Sequence, residues 1–360
     1  MKTPFAQRRR ALQTAFAQSK LDHLLVAKPA NLYYLTGFTG DAGVLVVSQG
    51  GVSLVTDGRF ITQARQETSG VRIVLQKSSL FSSVGAILQT ARSRRVGFDP
   101  NQLTVAQLQA MRKVSGSGCR WVAAPGLVES LRMQKEAGEL VQMRRAGILA
   151  GQVLEDSLTL LKPGVQEIEI GGEIDYQLRR RGAAGPCFET IVAFGERSAL
   201  PHARPTAKRL RKNELVVLDL GAILGHYCSD ITRTVFLGRA PARIRRLYRA
   251  VLEAQEAAIV AVKDGAACGD VDAAARQVLA GYRLDRYFAH GTGHGLGLEV
   301  HEDPRVAPGK KQRLVPGNVI TIEPGVYVAG VGGIRIEDDV AVHADRTEVI
   351  TRVPRDFIEL

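Results

Sequence analysis

The sequence predicts an α+β protein in two parts: a smaller α/β layer domain over residues 1–127, then a curved antiparallel sheet covered by helices over residues 128–360. Three observations carry this. From about residue 135 the chain runs two helices then strands, and then two helices and strands again, the order in which helices and an antiparallel sheet segregate into layers. Before residue 127, extended and helical patterns alternate instead. Charge divides at the same place, with 16 Lys and Arg against 5 Asp and Glu in residues 1–127, and 32 against 31 in the remainder.

The elements follow in order. The opening MKTPFAQRRRALQTAFAQ is basic but has no apolar core of a signal peptide, and Leu12, Ala15 and Phe16 fall on one helical face. His23–Ala27 reads as a strand, and Val44–Val47 with Val52–Thr56 as a hairpin around Gln49-Gly50-Gly51. Strands at Val71–Leu75 and Arg95–Phe98 alternate with helices at Ser82–Ala91 and Thr104–Lys113. Ala123-Ala124-Pro125-Gly126 punctuates the chain, and Glu129 opens a long helical stretch. In the second part Lys135–Leu161 has helical spacing, stopped by Lys162-Pro163-Gly164, and Glu167–Arg181 is a second helix. Strands are expected near Thr190–Phe194, Leu215–Ile223 and Tyr227–Phe236, helices at Ile244–Val262 and Val271–Tyr282, and strands near Val319–Glu323, Ile334–Glu337 and Asp339–Val342.

Composition narrows the function classes. No apolar run reaches the roughly 18 residues needed to span a bilayer, so no membrane association is expected. Cys119, Cys187, Cys228 and Cys268 are far apart without a Cys-x-x-Cys, which indicates neither a disulfide framework nor a thiolate zinc site and fits a reducing cytoplasm. The basic first part invites an anionic partner such as nucleic acid. Its charges are scattered, from Arg8–Arg10 through Arg92–Arg95 to Arg112 and Lys113, without interleaved aromatics, so a solvated basic surface is the preferred reading.

Four carboxylates and one histidine stand where such groups are unexpected: Asp219 in VVLDLGA, Asp230 in YCSDITRT, His294 in HGTGHGLG, Glu323 in ITIEPGVY and Glu337 in GIRIEDD. Asp219, Glu323 and Glu337 interrupt apolar strand patterns, where an uncompensated charge costs several kcal/mol. Buried anions with a histidine need cations, and a pair of divalent metal ions is the economical answer. A hairpin turning at Leu224-Gly225 would set Asp219 directly opposite Asp230, about 5 Å away, a repulsive pairing unless a cation lies between them. In Ile334-Arg335-Ile336-Glu337 the period of two puts Arg335 and Glu337 on the face away from the isoleucines. One Glu on a strand is ordinarily a solvated edge residue; four acids recurring in β context are harder to dismiss.

His290 and His294 have the spacing of a zinc-protease helix, but three glycines in HGTGHG oppose a helix and no Glu follows His290. The segment reads as a loop or strand end, with His294 as ligand and His290 as an outer partner or packing residue. Oxygen-rich ligation with one imidazole suits Mn²⁺, Co²⁺ or Zn²⁺. Two such ions, about 3.5–4 Å apart, lower the pKa of bound water, polarise a carbonyl and leave the charge balance open for a bridging hydroxide. That is machinery for hydrolysis.

These motifs, in this order, resemble the pita-bread metallopeptidases, a family of aminopeptidase P, prolidase and methionine aminopeptidase with creatinase as a non-metal relative. The resemblance runs from about Leu127 to the end, on LDLG, SDITRT, HGTGHGLGLEVHE, IEPGVY and IED. Tyr34-Leu35-Thr36-Gly37-Phe38 and Leu54-Val55-Thr56-Asp57-Gly58-Arg59 resemble the creatinase-type N-terminal domain, which methionine aminopeptidases typically lack. The resemblance implies a C-terminal pita-bread domain, a creatinase-like N-terminal domain, and the proline-specific branch. It implies that Asp219 chelates one metal, Asp230 and Glu337 bridge both, and His294 and Glu323 each bind one, with Glu323 also moving a proton. It matches His202 in LPHARP to a histidine near the substrate carbonyl, His301 in EVHE to one that stabilises the tetrahedral intermediate, and Arg335 to an arginine beside the last glutamate. All five ligands are present, so creatinase activity is not expected. His226 is read as surface, and His23 and His343 as structural.

The expected activity is release of an N-terminal residue ahead of proline, by an Xaa-Pro aminopeptidase using two divalent ions, Mn²⁺ first, with Co²⁺ or Zn²⁺ possible. The alternative within the class is a dipeptidase restricted to Xaa-Pro. An Xaa-Pro bond is a tertiary amide with no N–H, and a dimetal centre attacks its carbonyl without needing one. The partners expected are small peptides with proline in second position, and the resemblance implies a homodimer. A non-catalytic binding protein on the same fold, for instance for nucleic acid, is disfavoured because such relatives tend to lose the ligands.

Overall fold

The computed structural model describes residues 4–360; Met1, Lys2 and Thr3, part of the predicted first domain and of the basic opening stretch, lie outside them. The chain divides into two units, Met1–Arg132 and Met133–Leu360.

In the first unit, alternating apolar strands assemble into a six-stranded mixed sheet. Its order is Arg72–Leu75, Gly51–Thr56, Gly43–Ser48, His23–Val26, Arg95–Phe98, Arg120–Ala123. The middle three strands are antiparallel and the outer pairings parallel. Helices Leu80–Thr90 and Val105–Ser115 cover one face, burying Val84, Leu88 and Met111 against Leu25, Val44 and Val96. Thr104 caps the second of these in a reciprocal box with Gln107. The amphipathic N-terminal helix is Pro4–Ala17, with Leu12 and Phe16 fully buried. Helix Pro29–Thr36 was not expected, although Pro29 opens it and Gly37 closes it at φ 81°. Helix Ile61–Glu67 and the edge strand Arg120–Ala123 were also missed.

Two expectations need correction here. Arg8 and Arg9 are buried rather than solvated: Arg9 donates to Leu35 O at 2.9 Å and Ser69 O at 2.8 Å, Arg8 to Tyr34 O at 3.3 Å. The helical stretch from Glu129 is also not continuous. Helix Leu127–Arg132 stops, and Ala137–Leu158 starts afresh on a Glu136/Glu139 capping box.

The second unit is built twice from a helix pair and antiparallel strands. Helices Ala137–Leu158 and Glu167–Arg180 pack on the sheet Ile231–Leu237, Glu214–Leu220, Ile191–Phe194. Helices Ala242–Ala261 and Cys268–Gly281 pack on Glu302–Val306, Gly293–Gly295, Val319–Ile322, Asp338–Val342, Thr347–Val349. The period of two sorts each strand: Val216, Leu218 and Leu220 enter the helix-side core, while Val217 and Asp219 lie on the other face. Glu337 N donates to Thr232 O at 3.1 Å and joins the two halves where the acids gather.

The hairpin register differs from the expectation. Asp219 pairs with Thr232, not Asp230, a slip of two residues. The turn falls at Gly225-His226, with Leu224 opposite Tyr227, and His226 takes φ 72°. A slip of two preserves the face, because side chains alternate with period two. Asp230 therefore stays on the side of Asp219, just before strand Ile231–Leu237 begins.

Candidate metal centre

Five strand ends converge. Asp219 is the penultimate residue of Glu214–Leu220; Asp230, Glu323 and Glu337 occupy junctions where a strand begins or has just ended; His294 is central in Gly293–Gly295. Each is tied down. Asp230 N donates to Asp339 Oδ2 at 3.0 Å, Glu323 N to Thr292 O at 2.8 Å, and Thr232 Oγ1 to Glu337 Oε2 at 2.6 Å. His294 Nδ1 lies 3.0 Å from Gly295 O, so that Nε2 points inward, 3.4 Å from Glu323 Oε1 and 3.9 Å from Asp230 Oδ2.

The glycines around His294 are required by space. A Cβ at Gly293 would stand 1.9 Å from Thr321 O, and one at Gly295 2.2 Å from Asp303 O. The segment is thus a tight central strand, which resolves the loop-or-strand-end reading.

Asp230, His294 and Glu337 offer ligand atoms all within 4.8 Å of one another. Asp219 Oδ1 and Asp230 Oδ1 are buried with no hydrogen-bond partner among the described residues. Burial raises Asp230 and Glu337 well above the usual carboxylate range, and neighbouring carboxylates add to it. Burial lifts Glu323 to about 7 and lowers His294 to about 4, keeping the imidazole neutral, as a ligand must be. Orphaned oxygens, crowded anions and a neutral imidazole fit divalent cations.

Arg335 organises one flank. Its Nη2 reaches Asp219 Oδ2 at 2.5 Å, Nη1 donates to Tyr327 Oη at 2.7 Å and Pro201 O at 3.1 Å, and Nε to Thr232 Oγ1 at 3.1 Å. Tyr327 Oη is also 2.8 Å from His290 Nε2. His301 lies against His294, ring centroids 4.4 Å apart. All nine residues singled out in the sequence line one cavity of about 430 Å³, His202 and His301 at its exposed side. Elsewhere His226 is exposed, His23 lies 2.8 Å from Ser93 Oγ, and His343 2.9 Å from Glu348.

Sequence reasoning missed Tyr327, Arg305 and the apolar walls Phe188, Ile191 and Val300. Tyr327 carried the one usable signal, since it follows Glu323 by four residues and closes the quoted IEPGVY motif.

Comparison with known proteins follows the same division. Residues 8–134 match the Creatinase/Prolidase N-terminal domain and residues 141–344 match metallopeptidase family M24. An Xaa-Pro dipeptidase of Pyrococcus furiosus is 32% identical over 341 residues, covering 95% of this chain and 96% of that one. The structure of an Xaa-Pro dipeptidase from Bacillus anthracis superposes with a TM-score of 0.96 at 35% identity, covering 99% of this chain and 100% of that one. An X-Pro aminopeptidase from Thermotoga maritima gives 0.88 at 30% identity, over 96% and 100%. The match over more than half the chain, with relatives above 30% identity along nearly all of it, makes this protein a member of metallopeptidase family M24, with the pita-bread fold and a creatinase-type N-terminal domain.

Proposed function

We propose that the protein is a metal-dependent Xaa-Pro dipeptidase, so that the alternative read from the sequence displaces the aminopeptidase. The observation that carries it is near-complete coverage by relatives named Xaa-Pro dipeptidase, ranking above the aminopeptidase structure in TM-score. Asp219, Asp230, His294, Glu323 and Glu337 would hold two ions, Mn²⁺ first, with Co²⁺ or Zn²⁺ as substitutes. The ions supply Lewis acidity for the scissile carbonyl and make water a nucleophile at neutral pH. Glu323, by the resemblance of its motif, would also take up and return the proton of the attacking water. His202 and His301 flank the carbonyl, and Arg335 fixes Asp219.

Phe188, Ile191 and Val300 give apolar walls for a pyrrolidine ring. Arg305 lines the same cavity, and its guanidinium has no hydrogen-bond or ion-pair partner among the described residues. It is the group for the free carboxylate of a dipeptide. The reading extends by resemblance to a homodimer in the cytoplasm, and no helix among the described residues is long and apolar enough to cross a membrane.

Hydrolysis of Xaa-Pro against Xaa-Pro-Xaa, after chelation and return of Mn²⁺, tests the proposal. The dipeptide is expected to be preferred at least about tenfold in kcat/KM. Arg305→Ala is expected to raise the dipeptide KM about 10- to 100-fold, the worth of a charged hydrogen bond. Equal rates on both substrates would return the aminopeptidase.

A further inference from the structure

Lys135 and Glu302 form an ion pair at 3.2 Å whose side chains are 1% and 6% exposed. Taking both charges out of water is unfavourable unless the geometry secures something else. Neither residue lines the cavity, yet between them they grip the segment that carries His301.

Glu302 uses both oxygens. Oε2 accepts from Lys135 Nζ at 3.2 Å, and Oε1 accepts from Glu299 N at 3.1 Å. Gly297 N donates to Glu299 O at 3.0 Å, so the segment from 297 to 302 is closed on itself and then tied to Lys135. Lys135 is in turn anchored, its amide donating to Gly317 O at 2.7 Å, while Asn318 Nδ2 donates to the neighbouring Met133 O at 3.0 Å. A Cβ at Gly297 would come within 2.9 Å of Lys135 Cε and 3.0 Å of both Glu302 oxygens, so the glycine leaves the space the pair fills. His301 directly precedes Glu302, with its ring stacked edge-on against His294.

We propose that the Lys135–Glu302 pair is a positioning device that fixes the 297–302 segment and so holds His301 against the metal cluster. What His301 does there rests on the dipeptidase reading above.

The test compares wild type, K135M and the charge-free double variant K135M/E302Q by three measurements: kinetics on an Xaa-Pro dipeptide, bound Mn²⁺ per chain, and amide hydrogen exchange. In both variants kcat is expected to fall about 10- to 100-fold, as for outer-sphere partners of metal sites, with KM within about threefold. Bound Mn²⁺ should be unchanged, and exchange should quicken over residues 298–302 alone. Should K135M not fold because buried Glu302 loses the lysine ammonium, the double variant, which removes both charges, still decides. Unchanged kcat per folded chain, or unchanged exchange in 298–302, overturns the proposal. Were wild type itself inactive on the dipeptide, the functional reading would fall and the exchange data alone would judge the clamp.

Discussion

At Asp230, burial and the charges of Glu337, Asp219, Asp339 and Glu323 all push the same way, toward the protonated acid. Without metal the cluster therefore makes stability depend on pH. Glu323 titrates near 7 in the fold against an ordinary 4.5, so the folded state binds the extra proton and stability falls as pH rises between those values. The size is on the order of 3 kcal/mol for Glu323. His290 and His294, both lowered to about 4, act oppositely, and their effect ends near pH 6.5, where both states are neutral. From pH 6.5 upward the histidine effect is gone, and Asp230 and Glu337, also raised by burial, act in the same direction as Glu323. Chelated protein is expected to melt lower at pH 8 than at pH 6.5, and Mn²⁺ to abolish that slope; equal Tm values for the chelated protein would refute it. Asp219, Glu323 and Glu337 stood out as candidate ligands because a charge inside an apolar strand pattern has few bland explanations. Arg305 in EDPRV fits an ordinary strand and nothing local marked it, while Tyr327 in GVYV was marked only by its place in IEPGVY.

Elements explain how close the reading came and where it slipped. Composition located the hairpin of Asp219 and Asp230, but no Asn-Gly turn fixed its register, and the true turn is two residues on in the pairing sum. The face survived because the slip was even. The glycines of HGTGHG could be read as freedom, whereas the structure uses them for close approach between strands. Gly295→Ala is accordingly expected to be destabilising by about 2–3 kcal/mol, roughly 5–10 °C in Tm, because Asp303 O cannot yield without moving the backbone. A Tm within 1 °C of wild type would show that the strand has room. Helix Pro29–Thr36 was overlooked although proline and glycine marked its ends, since its eight residues gave too short a periodic pattern.

For the whole molecule, the charge asymmetry and the helix–strand order pointed to two parts, and the motifs named the family. Dipeptidase against aminopeptidase was not legible: that choice depends on the shape and charge of a cavity assembled from segments over 100 residues apart in sequence. The basic first unit lends itself to a check. With Arg8 and Arg9 committed to backbone carbonyls and the other charges dispersed, no DNA complex is expected in a mobility-shift assay at 0.15 M salt. A retained, salt-sensitive complex would reopen a nucleic-acid role.

Metal stoichiometry tests the central claim most directly. Chelated wild type titrated with Mn²⁺ should bind two ions per chain and regain Xaa-Pro hydrolysis, while Asp230→Asn should bind fewer than two, stay inactive and, relieved of a buried charge, melt no lower than chelated wild type. Full hydrolysis by the stripped wild type, or two ions bound by Asp230→Asn, would contradict it.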